Sequence, residues 1–240
     1  MAQKKLKRFK ELKTFKNVFE YPENMQGQWN HYFKNDHPVI LELACGKGEY
    51  TVGLAALHPN NNYIGIDIKG NRMWAGAKIA LEKKYENAAF LRSHIDKIES
   101  YFKEGEINEI WITFPDPQLR KSRAKKRLTH PRFLRLYKNI LTKEGVIHLK
   151  TDSPDLYQFT KQVIEFYQLP LLEDADNVYK NEVVSPELSI QTHYEKLDIA
   201  KSNTIFYLRF KLIDTLNNRE TDILFKQCLQ NLEQTPANEF

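Results

Sequence analysis

An aspartate between two prolines stands at the end of an apolar run, directly before a strongly basic segment. The motif FPDP occupies residues 114–117, and eight lysines and arginines with no acidic residue follow between Arg120 and Arg135. The prolines restrict the backbone that carries the Asp116 carboxylate. Clustered cations bind polyanions such as the phosphates of a nucleic acid. The pattern predicts a fixed carboxylate that faces a bound group beside a surface for nucleic acid.

A glycine turn follows the first predicted strand and is typical of a cofactor site. Glu42 lies in that strand, Gly46 and Gly48 lie in the turn, and Asp67 ends the next strand 19 residues after Gly48. Glycine permits positive φ and close approach of a ligand, and a carboxylate after the second strand can accept both ribose hydroxyls. A dinucleotide turn has Gly or Ala where this chain has Thr51. The spacing fits NAD and S-adenosylmethionine equally; acids and backbone amides suit the ammonium, carboxylate and sulfonium of the latter.

Two other chemistries are disfavoured by the sequence. Cys45 has no histidine or asparagine placed to activate it as a nucleophile, so we interpret it as a small residue in a tight turn. The seven histidines include no pair at metal-ligand spacing, and the two cysteines are far apart. We therefore predict no zinc site.

Strands and helices alternate along the chain and would carry these side chains on one sheet. This alternation predicts an α/β fold with a mostly parallel sheet, helices on both faces, and ligands at the carboxyl ends of the strands. The last two apolar runs are interpreted as an antiparallel hairpin. The predicted strands are Val39–Leu43, 62–68, 88–92, 107–114 and 145–151, with the hairpin strands within 171–180 and 204–212.

Length and charge suggest one main domain with a basic arm. The 240 residues are 41% hydrophobic, which is sufficient for a sizeable core. We divide the chain into a basic N-terminal extension (1–36), a catalytic domain (37–213) and a C-terminal tail (214–240). Lysines and arginines give residues 1–16 a net charge of +6, against +5 for the whole chain. Such concentrated charge favours a nucleic-acid partner, although a solvated lysine-rich tail is an equal alternative for the extension.

The cellular location follows from cysteine use and hydropathy. Two distant cysteines argue against a disulfide framework and for a reducing compartment. No stretch approaches the roughly 18 consecutive apolar residues of a membrane span. We therefore predict a cytoplasmic protein without a membrane partner, and the sequence leaves its oligomeric state open.

Taken together, these motifs resemble the tRNA (guanine-N7-)-methyltransferase family. The resemblance covers about Pro38 to Phe210, and its most distinctive part is TFPDP with the Lys/Arg run that follows; it also includes LELACGKG, GIDIK, HLKTD and THYE. It implies a Rossmann-like class I methyltransferase fold, with a mostly parallel seven-stranded sheet and an antiparallel closing strand. It further implies methyl transfer from S-adenosylmethionine to N7 of a guanosine in the tRNA variable loop.

The resemblance also assigns roles to individual residues. Glu42 and Asp67 fall on the family's cofactor acids, beside Gly46 and Gly48. Asp116 falls on the catalytic acid and would also face the cofactor. The positions expected to bind the substrate are Arg120, Lys121, Arg123, Asp152, Thr192 and Glu195. Residue type alone gives Thr192 and Glu195 no role, and Asp152 could equally cap the next helix.

Three departures from the family pattern concern the same site. Gln118-Leu119 replaces the usual Trp-Pro, and Ala44 replaces the first glycine of the turn. The family acid that faces the adenine amino group would fall on His94, whereas Asp96 offers the carboxylate two residues later. Either His94 or Asp96 is therefore expected at the adenine.

Two alternative functions are compatible with parts of the sequence. A proline-containing motif after the fourth strand also serves N-methyltransferases of protein or small-molecule amines, although the basic segment disfavours that interpretation. A non-catalytic RNA-binding module on the same scaffold is the other alternative. Binding of S-adenosylmethionine would separate it from both enzymes.

Overall fold

The computed structural model describes residues 2–180, 183–197 and 204–234. Short 3-10 helices at Ile95–Ser100 and Lys121–Lys126 accompany the regular elements. These are, in chain order, α1 (Ala2–Leu12), β1 (Val18–Glu20), α2 (Trp29–Phe33), β2 (Val39–Leu43), α3 (Glu49–Leu57), β3 (Asn62–Asp67), α4 (Gly70–Glu82), β4 (Ala88–Arg92), β5 (Ile107–Thr113), α5 (Pro131–Ile140), β6 (Leu141–Thr151), α6 (Pro154–Phe166), β7 (Leu171–Ala175), α7 (His193–Lys196), β8 (Phe206–Lys211) and α8 (Arg219–Gln234).

The strands form one sheet in the order β1-β4-β3-β2-β5-β6-β8-β7. Strand β8 runs antiparallel to both β6 and β7, and the other pairs are parallel. The predicted α/β class and the antiparallel closing strand are therefore confirmed. The predicted number of seven strands is wrong, because β1 adds an eighth strand beside β4. Its three residues are too few to give a periodic signal in the sequence.

Part of the predicted N-terminal extension contributes to the sheet and the core. Trp29 is fully buried, its ring stacks on Phe102, and its Nε1 donates to the Tyr101 carbonyl at 2.9 Å. Helix α1 packs on α4, where Leu12 is buried and Trp74 Nε1 donates to a Glu11 carboxylate oxygen at 2.8 Å. The boundary between residues 36 and 37 stays a prediction, as does the C-terminal boundary.

The helices cover the sheet on both faces because alternate strand residues point to opposite sides. One apolar cluster joins α3 and α4 to β-strand residues such as Ile40, Tyr63 and Trp111. The other joins α2, α5 and α6 to residues such as Leu41 and Ile110. Strands β2 and β3 are buried throughout, which explains their nearly continuous apolar sequence.

The chain order creates one switch point in the parallel part of the sheet. From β2 the chain builds β3 and β4 on one side, and it then returns to place β5 and β6 on the other. Open α/β sheets bind ligands at such a point, outside the carboxyl ends of the strands. The ends of β2, β3, β5 and β6 therefore define where a site is expected.

Candidate active site

A cleft of about 660 Å³ opens at this switch point. Its walls are formed by residues at and after the carboxyl ends of β2, β3, β5 and β6, together with Thr192 from the segment before α7. The lining includes these predicted site residues: Glu42, Gly46, Asp67, Asp116, Asp152 and Thr192. Residues separated by up to 150 positions in the sequence thus meet in one cleft.

The glycine turn is held by the carboxylate that ends β3. Asp67 Oδ2 accepts from Gly46 N at 2.9 Å, and Oδ1 accepts from Lys69 N at 2.7 Å. Gly46 and Gly48 have φ of 56° and 74°, as the sequence predicted. A Cβ on Gly48 would lie 2.5 Å from the Phe90 ring. Ala44, where the family has glycine, also keeps a positive φ of 56°.

Glu42 is a buried carboxylate at the floor of the cleft. Its Oε2 accepts from both the amide and the hydroxyl of Thr51, and its Oε1 accepts from Thr113 Oγ1 at 3.0 Å. Burial raises the pKa of Glu42 to about 7 despite these hydrogen bonds. The hydrogen bonds to Glu42 therefore explain why position 51 carries a threonine and not the Gly or Ala of a dinucleotide turn. Cys45 beside it is also buried, which raises the pKa of its thiol well above the usual value.

Asp116 is exposed to the cleft on a tight turn after β5. Phe114 lies two residues before Asp116, and Gln118 lies two residues after it. Their φ angles are 46° and 49°, in the left-handed region that is unfavourable for residues with a side chain. Asp116 Oδ1 accepts from Gln118 N at 3.0 Å. A carboxylate has about four acceptor sites, so most of them stay available to a substrate.

Arg127 supports this turn through hydrogen bonds to its backbone, a role that the sequence did not reveal. Its Nε donates to the Pro117 carbonyl at 3.1 Å and its Nη2 to the Gln118 carbonyl at 3.4 Å. The guanidinium lies 4.4 Å from the centre of the Phe159 ring and is largely buried. By sequence Arg127 is one more cation of the basic segment, since spacing cannot distinguish a buried arginine from exposed neighbours.

Removal of this support is expected to loosen the Asp116 turn. Arg127→Met should cost about 1.5–3 kcal/mol of unfolding free energy, because two carbonyls lose a charged donor. Urea unfolding measures the loss, and Arg123→Met, an exposed change in the same segment, is the control. An equal, small effect of both substitutions would contradict the supporting role.

The basic segment begins directly after Leu119, which lines the cleft. Arg120 and Arg123 are exposed, and Lys121 begins the 3-10 helix between them. A second cleft of about 830 Å³ shares Leu119 with the first, and its lining includes Lys125, Arg127, His130, Arg135 and Lys226. Burial is the main cause that lowers the pKa of His130 to about 4, and the nearby charges of Arg132, Lys125 and Arg135 act in the same direction.

Besides Arg127, Arg132 and Arg135 of the run have partners within the protein. Arg135 donates to the Leu216 carbonyl and pairs with Asp222 at 2.5 Å, so it fastens α8 to α5. Arg132 lies 4.0 Å from Asp96. The exposed cations nearest Asp116 are thus the better candidates for phosphate contacts.

The remaining predicted residues have different surroundings. Asp152 lines the cleft, and the helix cap is Ser153, whose Oγ accepts from Leu156 N at 3.2 Å. The side-chain cap shown for α6 is thus Ser153, and the role of Asp152 stays a prediction. Thr192 is buried in the cleft wall, whereas the Glu195 carboxylate is bonded to Lys150 and Tyr179.

His94 and Asp96 are both exposed after β4, and neither belongs to the residues that line the cleft. The adjacent Ser93 N donates to the Asp67 carbonyl at 3.3 Å, which keeps this turn next to Asp67. Which of the two faces adenine stays a prediction.

Comparison with known proteins gives one consistent family. Residues 36–208 match a family model described as "Putative methyltransferase". The tRNA (guanine-N(7)-)-methyltransferase of Porphyromonas gingivalis is 48% identical over 225 residues, which are 88% of this chain and 91% of the relative. The enzyme of the same name from Bacteroides thetaiotaomicron is 44% identical over 221 residues, covering 88% and 87%.

Solved structures support the fold. A 30S ribosomal A1408 methyltransferase from an uncultured bacterium is similar with a TM-score of 0.57 at 18% identity, over 80% of this chain and 96% of that one. A 16S rRNA (adenine(1408)-N(1))-methyltransferase from Catenulisporales acidiphilia gives 0.55 at 14% identity, over 78% and 93%. The class I methyltransferase fold is thereby confirmed. From the family match and the identity to its named relatives, the chain belongs to the tRNA (guanine-N7-)-methyltransferase family.

Proposed function

We propose that the protein transfers a methyl group from S-adenosylmethionine to N7 of a guanosine in the variable loop of tRNA. The observation that carries this proposal is the exposed Asp116 carboxylate, which stands in one cleft with Glu42 and Asp67 and next to the basic segment. The names of the relatives support the same substrate and product. The amine-methyltransferase alternative gains no support from a cleft bordered by cations.

The chemistry of the cleft suits S-adenosylmethionine. Asp67 would accept the ribose hydroxyls with the lone pairs that Gly46 N and Lys69 N leave unused. The buried Glu42 would hold the ammonium of the methionine part, which favours the ionised carboxylate. Gly46 and Gly48 let the backbone approach the ligand closely. When bound, the cofactor supplies an electrophilic methyl group on a sulfonium.

Asp116 would orient the acceptor base. Guanine N7 is an unprotonated lone-pair acceptor, so its methylation needs no general base at N7. Asp116 would accept hydrogen bonds from guanine N1-H and the 2-amino group and stabilise the positive charge that grows on the ring. Alignment of N7 can then contribute several kcal/mol to the rate, up to about 7–11 in the best cases. Asp152 and Thr192, which line the same cleft, would contact the nucleotide.

The experiment that tests this function identifies the methylated nucleoside. Unmodified tRNA is incubated with the protein and methyl-labelled S-adenosylmethionine and then digested to nucleosides. Label in 7-methylguanosine supports the proposal, and label only in other nucleosides contradicts it. Methyl transfer to peptides at high salt with inert tRNA would favour the amine alternative. No binding of S-adenosylmethionine by calorimetry would favour a non-catalytic RNA-binding module.

The basic segment would hold the tRNA backbone, so affinity should depend steeply on salt. Neutralising Arg120, Lys121 and Arg123 to glutamine should reduce the slope of log affinity against log salt by about 0.7–0.9 for each phosphate that the variant no longer binds. The control neutralises Lys83, Lys84 and Lys143, which lie near the amino ends of the strands. Equal slopes for the parent and the Arg120 triple variant would exclude the proposed role in phosphate binding.

Location in the cytoplasm fits a tRNA substrate. Among the described residues, no helix is both long and apolar enough to cross a membrane. We propose tRNA as the partner and, because the substrate is tRNA, the cytoplasm as the compartment.

A further inference from the structure

Lys150 is a fully buried lysine near the carboxyl end of β6. Its side chain has no exposed surface. The ammonium Nζ donates to the carbonyls of Leu188 at 2.8 Å and Ile190 at 3.1 Å. Isolated burial of such a charge would cost several kcal/mol. The partners of Lys150 must therefore offset that cost, and two of them belong to the segment 183–197, which carries Thr192.

The counter-ion of Lys150 comes from the same segment. Nζ lies 3.2 Å from Glu195 Oε1 and 3.0 Å from Oε2, and the Glu195 side chain is only 5% exposed. Tyr179 also donates its hydroxyl to Glu195. An ammonium has three protons, and here they are shared among four acceptors. Burial lowers the pKa of Lys150, and the Glu195 charge opposes that change.

Lys150 also contacts the opposite wall of the cleft. Its carbonyl accepts from Phe114 N at 2.9 Å, and its Nζ lies 5.6 Å from the centre of the Phe114 ring. Phe114 begins the strained turn that carries Asp116. One residue therefore joins the wall with Asp116 to the wall with Thr192.

We propose that Lys150 is a positioning residue that fixes the segment 183–197 against the Asp116 turn, and that Glu195 acts through Lys150 instead of contacting the substrate. Thr192 is held in turn, since its Oγ1 accepts from Glu195 N at 3.1 Å. The expected effect on catalysis rests on the proposed function. The fixing of segment 183–197 by Lys150 does not, because it can be measured on the protein without substrate.

Lys150→Met tests both parts of the inference. Hydrogen exchange in segment 183–197 should accelerate while the amides of β2 and β5 stay protected, because only the segment loses its anchor. The value of kcat for tRNA methylation should fall about 10- to 100-fold through misplacement of the cleft wall. Affinities for S-adenosylmethionine and tRNA should change little. Lys143→Met, an exposed change in the same strand, is the control.

The inference requires that Lys150→Met both accelerates hydrogen exchange in segment 183–197 and lowers kcat. Either effect without the other overturns it. If that variant does not fold, Glu195→Gln makes the same two-part prediction with smaller effects, because its amide oxygen still accepts one hydrogen bond. The double variant should lose no more activity than Lys150→Met alone, since the pair acts as a unit; additive losses overturn the proposal. A parent protein that does not methylate tRNA contradicts the proposed function, and hydrogen exchange then still tests the fixation.

Discussion

Asp116→Asn is expected to lower the rate of tRNA methylation about a thousandfold while tRNA affinity stays close to that of the parent. The amide cannot accept from guanine on both of its terminal atoms, and it does not offset the charge that grows on the ring. Loss of orientation and of electrostatic stabilisation each cost orders of magnitude in rate. Phosphate contacts supply most of the affinity and do not involve Asp116.

Single-turnover methylation and filter binding measure the two quantities separately. Asp155→Asn is the matched control, because Asp155 is an exposed acid in the lining of the same cleft. We expect it to keep nearly full activity. If the Asp155 variant lost as much rate as the Asp116 variant, general negative charge would explain the effect, and the specific role of Asp116 would be contradicted.

Glu42→Gln is expected to weaken S-adenosylmethionine binding and to stabilise the protein at alkaline pH. The variant loses a charged partner for the ammonium of the methionine part, which corresponds to about 1.5–3 kcal/mol, or roughly 10- to 100-fold in affinity. In the parent, ionisation of Glu42 through a pKa of about 7 should strengthen cofactor binding as the pH rises from 6 to 8. The variant should not show this dependence.

The stability of the parent protein changes with pH in the opposite direction to its cofactor affinity. The unfolded chain loses the Glu42 proton near pH 4.5, whereas the folded protein keeps it up to about pH 7. The folded state thus binds more protons between these values, and its stability falls there as pH rises, by about 3 kcal/mol. Glu42→Gln should lack this fall and be more stable than the parent at pH 8.

Calorimetric binding and urea unfolding at pH 5 and pH 8 check both effects. Glu49→Gln, a partly buried acid in the same cleft, is the control and should retain the parent's fall in stability. A Glu42 variant with parent-like cofactor affinity at pH 8 would contradict the assignment of the ammonium to Glu42.

The sequence could predict what depends on local pattern and on the general geometry of parallel sheets. Strands β2 and β4 have the predicted bounds, because their apolar runs mark them locally. Glu42, Asp67 and Asp116 are expected to meet because carboxyl ends of parallel strands share one edge. That expectation requires no knowledge of side-chain packing.

The supporting contacts could not be predicted in the same way. Lys150 lies within an apolar strand, which signals a buried charge, but its partner Glu195 is 45 residues away. Arg127 resembles its exposed neighbours in residue type, and it differs from them in its burial and in its hydrogen bonds to the Pro117 and Gln118 carbonyls. Such roles depend on tertiary packing, which residue type and spacing do not predict.

The most direct test of the central claim measures the coupling between Asp116 and the 2-amino group of guanine. The parent and Asp116→Asn are compared on tRNA with guanosine or inosine at the target position, since inosine lacks that group and keeps N7. If Asp116 orients the base, inosine should lower kcat/KM about tenfold for the parent and have little effect on the variant. An equal inosine effect on both proteins would contradict the account.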